Sequence, residues 1–180
     1  MKPGVLSFAI VLLLCVVARA APVPHDGRHD FDFETGTWRI QVHRLVHPLT
    51  GSHEWVSPTG YVHIVRPVWG GRASLAQLEV TTPARRYLGL MLRLYNARLH
   101  RWSIYWAASD GDTVDPPLTG TFSSGRGEFR NQDTYGGKRI DVRVVYWDIR
   151  PASFRTEQSF SADGGKTWEA NLIQTFARIR

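Results

Sequence analysis

From Thr37 onward the chain alternates apolar and polar side chains in short runs, punctuated by Gly, Pro, Asn or Asp. Successive strand side chains point to opposite faces, so this rhythm predicts half-buried strands rather than helices. Residues 37–46 set Trp38, Ile40 and Val42 against Arg39, Gln41 and His43, and the run stops at Pro48 and Gly51. Residues 53–66 follow, interrupted at Pro58 and Gly60; a proline there implies a bend, bulge or edge. After Gly70 and Gly71, residues 72–80 form the next run. Residues 87–95 are the most apolar, with Leu88, Leu90, Leu92 and Leu94 on one face and Tyr87, Met91 and Tyr95 on the other. That pattern predicts a strand covered on both sides. In residues 101–109, Trp102, Ile104 and Trp106 oppose Ser103, Tyr105 and Ala107. A polar loop over 110–117 precedes strands at 118–123, 128–133 and 139–149 and a final hairpin. Sequential antiparallel strands most easily remove their edges by closing, so the expected fold is an all-β, antiparallel up-and-down β-barrel of about 8–10 strands.

The last turn is the sharpest local pattern. Asp163 is placed to accept from the turn's own N–H groups, Gly164 and Gly165 accept positive φ, and Trp168 packs over the hairpin base. The positions Ser161, Asp163, Gly165, Thr167 and Trp168 resemble the Asp-box hairpin of sialidases, β-propellers and several unrelated all-β proteins. A propeller needs several blades, so one such box in 180 residues implies a structural role.

The first residues change the setting. Lys2, an apolar run over 5–17 and Ala18-Arg19-Ala20 together predict a secretory signal peptide over 1–20, followed by an extension over 21–35 and one barrel over 36–180. The expected location is periplasmic or secreted. The only cysteine, Cys15, lies in the leader behind Leu14, which does not suit lipidation, so no stable membrane anchor is expected. The mature chain then has neither a disulfide nor a thiol nucleophile. Loss of Lys2 and Arg19 from the 22 basic residues leaves 20 against 16 acidic ones, scattered along the strands, which argues against a nucleic-acid partner.

Several segments also carry a family likeness. Gly36-Thr37-Trp38 resembles the G-x-W that opens lipocalin and other calycin barrels, and the chain closes Phe176-Ala177-Arg178 as calycins often do. His29-Asp30-Phe31-Asp32-Phe33, Gly51-Ser52 with Glu54-Trp55, the 102–106 and 115–117 segments and 161–171 resemble secreted bacterial proteins of the domain-of-unknown-function kind with a calycin-like barrel. The resemblance covers nearly all of the mature chain. It implies that Trp38 closes the barrel base and that Arg178 packs across its indole. One departure stands out: where the family pattern commonly has an Asn and an acidic residue after the third strand's Gly-Gly, this chain has Ser74 and Ala76.

Candidate chemistry is sparse. His25, Asp26, His29, Asp30 and Asp32 crowd the segment before the first strand, but ligand spacing on a defined element is absent, so the segment is read as a polar seal for the closed end. No metal or other cofactor is expected. His53-Glu54 lacks a second metal-binding His, no His follows His100, and the Gly that a phosphate loop requires before Gly165-Lys166-Thr167 is Phe160. Alternation instead suggests cavity residues: Arg155 with Glu157; Glu169 with Asn171; Arg143 with Trp147; and Tyr61, Tyr105 and Trp106. Buried charges need partners, so these are read as ion pairs or as polar grips on a small-molecule ligand. The leading expectation is a lipocalin-like protein binding a small amphipathic ligand in an aromatic cavity. The alternatives are a hydrolase or isomerase with Glu157 or Glu169 as base, and an interaction module with a filled barrel. The ligand and the oligomeric state are open at this point.

Overall fold

The computed structural model describes residues 26–81 and 86–179. The leader expected over 1–20, together with Cys15 and His25, lies outside the described residues. Eleven strands follow in chain order: β1 (Gly36–Leu45), β2 (Trp55–Val56), β3 (Tyr61–Val68), β4 (Ala73–Thr81), β5 (Arg86–Asn96), β6 (Arg101–Ala108), β7 (Leu118–Ser123), β8 (Arg126–Tyr135), β9 (Lys138–Arg150), β10 (Ser153–Ser161) and β11 (Glu169–Arg178). Each pairs antiparallel with its neighbour, and β11 returns to β1 with Trp38 opposite Arg178 and Ile40 opposite Phe176. Ten strands therefore close into an up-and-down barrel. The short β2 only extends β1 at one rim. The break expected at Pro58 and Gly60 separates β2 from β3. No helix among the described residues is long and apolar enough to cross a membrane.

Alternation decides which residues face inward. On β1, Trp38, Ile40 and Val42 are buried while Arg39, Gln41 and His43 are exposed, as the pattern predicts. On β5 the expectation of a strand covered on both faces needs correction: the leucine row faces out, and Leu90 is 48% exposed. The inward row is Tyr87, Gly89, Met91, Arg93 and Tyr95. Gly89 is required there because a Cβ would stand 2.0 Å from the Trp106 indole.

One end of the barrel is sealed by residues 26–35, which form two 3-10 turns, Gly27–His29 and Asp32–Glu34. Asp26 caps the first turn, and Gly27 is tied down by Tyr95 Oη and Trp102 Nε1 at 2.9 Å each. Phe31 enters the interior, edge-on to Trp102 and Phe122 at 5.0 Å. Trp38, Phe129, Tyr146, Phe154 and Phe176 complete this aromatic core. Arg178 lies 4.1 Å over the Trp38 ring and donates to the Thr35 and Phe33 carbonyls, stapling the last strand to the seal. A cation–π contact of this kind contributes about 0.5–2 kcal/mol.

Candidate functional site

Above the aromatic core the barrel holds a cavity of about 480 Å³. Its walls are apolar, built by Ile40, Val42, Ile104, Val142, Val144 and Leu172. Strand register places Arg44, Tyr87, Trp106, Asp133 and Phe160 toward the opposite, open end. Polar side chains at mid-depth include Thr156, whose hydroxyl donates to Gln174 at 3.0 Å.

The floor is ionic. Glu34 arrives on the sealing segment, His63 on β3, Arg93 on β5 and Tyr146 on β9, and all four are at most 4% exposed. Arg93 Nη2 donates to Glu34 Oε1 at 3.0 Å and stands 2.8 Å from Oε2 without hydrogen-bond geometry to it. His63 Nε2 lies 3.0 Å from the same Oε1. An ionised carboxylate only accepts, so the imidazole is the donor there. Phe31 packs under the guanidinium at 4.7 Å, and Ser74 Oγ accepts from Nη1 at 3.4 Å. Burial alone pushes the Glu34 carboxyl upward, but the Arg93 charge and the His63 hydrogen bond outweigh it and hold its pKa below the ordinary value. Burial likewise opposes the Arg93 charge, and Glu34 reverses that. Tyr146, desolvated beside this pair, is pushed up to about 12 and stays a neutral phenol.

Of the residues singled out from sequence, Tyr61 and Trp106 line the cavity; the others named do not. The residues grouped on β10 and β9 do share a face, but it is the outer one, and their contacts there are with other partners. Arg155 stacks on Trp147 at 5.6 Å, Arg143 lies 4.6 Å from Trp168, and Glu157 accepts from Ser159 at 2.8 Å. Alternation fixes which residues share a face; it does not fix which face is inside. On β11 a register shift opposite Gln158 and Ser159 also separates Glu169 from Asn171. Glu169 stands opposite Phe160 and accepts from the Leu49 N–H at 2.5 Å, while Asn171 is buried outside the cavity lining. Tyr105 borders an outer groove with Trp69 and Arg72. In the sealing segment Asp26 pairs with Arg28 and His29 with Asp32, each at 2.8 Å. Among the described residues no group of three or more His, Cys, Asp or Glu is placed to hold a metal ion.

Sequence reasoning passed over Glu34, His63, Arg93 and Tyr146. The signal was present in Arg93, the one cation in the apolar run Leu88–Leu94, which required a buried partner if its face turned inward. In the turn at 161–168, Asp163 accepts from the Lys166 and Thr167 N–H groups and from the Thr167 and Ser161 hydroxyls. Those bonds, Thr167's first, hold its carboxyl far below the usual range. No protein-family model matches the chain, and no curated protein matches it.

Proposed function

We propose that the barrel holds a small amphipathic molecule, its apolar body along the Ile40, Val42, Ile104 and Leu172 walls and its polar end toward Arg93 and Tyr146. The observation that carries this reading is a cavity of about 480 Å³ whose apolar walls end on a fully buried polar floor. That volume lies within the range of small-molecule pockets, which combine apolar lining with a few fixed polar groups. A barrel serving only as a scaffold has no use for such space, since native interiors otherwise pack densely. Trp106, held against Gly89 toward the open end, gives the ligand an aromatic contact and an optical reporter. The leader-like first residues support action in a periplasmic or secreted setting.

Native mass spectrometry of protein taken from its own compartment, before and after solvent extraction, tests the reading. A bound mass that extraction removes is expected. The Val142→Trp variant, which fills the wall, should keep the barrel's circular dichroism and lose that mass. Wild-type protein that is always empty, and that takes up no apolar fluorophore, would sink the proposal.

A further inference from the structure

Two polar atoms of the cavity floor have no hydrogen-bond partner among the described residues: Arg93 Nε, a donor, and Glu34 Oε2, an acceptor. Both side chains line the cavity, and they are 0% and 1% exposed. Groups so buried are almost always bonded, because an unmet donor or acceptor forfeits its hydration without replacement. The other polar atoms of the pair each have at least one partner, in each other, His63 or Ser74. Nε and Oε2 are therefore the two atoms of the pair left with no hydrogen bond at all.

Charge narrows the answer. The Arg93 and Glu34 charges cancel, and Tyr146 is neutral. A carboxylate head on the ligand would meet Glu34, an ammonium head would meet Arg93, and either would bring an unpaired charge into a buried site. We propose that the floor selects an uncharged head carrying a carbonyl oxygen and an N–H side by side, as a carboxamide does. The oxygen accepts from Arg93 Nε and the N–H donates to Glu34 Oε2, while the chain of the ligand runs up the apolar walls. This inference rests on the ligand-holding reading above and adds the chemical class of the head.

Titration of the full chain with decanamide, N,N-dimethyldecanamide, decanoate and decylamine at neutral pH, read by the change in tryptophan fluorescence that wild-type protein shows and a Trp106→Phe variant lacks, tests it. Decanamide should bind roughly 10²-fold tighter than either charged probe. The dimethyl compound, which keeps the carbonyl and loses the N–H, should bind more weakly than decanamide. In Glu34→Gln the uncompensated Arg93 should invert the order in favour of decanoate. The double variant Glu34→Gln/Arg93→Met removes both charges and keeps the test available if the single one does not fold; there decanamide and its dimethyl analogue should bind equally. A charged probe binding wild-type protein as tightly as decanamide overturns the head-group assignment and leaves the occupied cavity standing. Failure of all four probes to bind overturns the cavity reading together with it.

Discussion

The sealed end of the barrel and the turn at 161–168 are both dense with hydrogen bonds, but they are built from opposite kinds of contact. At the sealed end Glu34 meets His63 and Arg93 across 29 and 59 residues of chain, and Arg178 reaches Thr35 across 143. In the turn, the Asp163 and Gly165 bonds span no more than 4 residues. One network is dry and exists only when the barrel is closed; the other is wet and largely encoded in eight consecutive residues. A buried charge depends on its partner for its whole compensation, whereas an exposed one can fall back on water.

That contrast can be broken at its strongest point first. Arg93→Met strands the Glu34 carboxylate and should lower unfolding stability by about 3–5 kcal/mol in urea titrations. Glu34→Gln/Arg93→Met should recover most of the loss, because removing both charges leaves neither uncompensated; equal damage in single and double variants would mean that packing, not charge, governs the sealed end. Acid gives the next effect. The folded-state pKa of Glu34 lies below its unfolded value, so its contribution is complete above the unfolded pKa and is lost as pH falls through the folded one. Wild-type stability should therefore drop toward that of Glu34→Gln, in which Arg93 is likewise left uncompensated, below the ordinary carboxylate range, and urea midpoints followed downward from neutral pH measure it. The smallest effect belongs to Asp163→Ala. It should lower Tm by less than Arg93→Met and leave decanamide affinity unchanged; a loss as large as that of Arg93→Met in a calorimetric scan would erase the distinction between the two regions.

The same contrast explains what could be read from sequence. Strand alternation, the Pro58 and Gly60 break and the 161–168 turn are local, and each stands where the pattern put it. Parity was the missing information for the site. Alternation groups Arg155 with Glu157 and Arg143 with Trp147 on shared faces, yet inward orientation on β10 belongs to Thr156, Gln158 and Phe160. The sense of a face depends on how the closed sheet curls, and no single strand encodes that. Glu34 was harder still. It precedes the first strand, in a segment that reads as a polar seal without naming which residue turns inward, and only docking into the barrel does that.

The pairing of β11 with β1 has a consequence for how the molecule is made. The strand nearest the start of the barrel finds half of its hydrogen bonds in the final stretch of chain, so closure must wait for residues 169–178. Until then a growing chain exposes two raw sheet edges and an open apolar trough. Long-range pairing of this kind slows folding and invites association through those edges. A chain shortened before β11 should therefore behave as an aggregating sheet rather than as a weaker barrel, and its lifetime before closure is the interval in which a chaperone would have the most to hold.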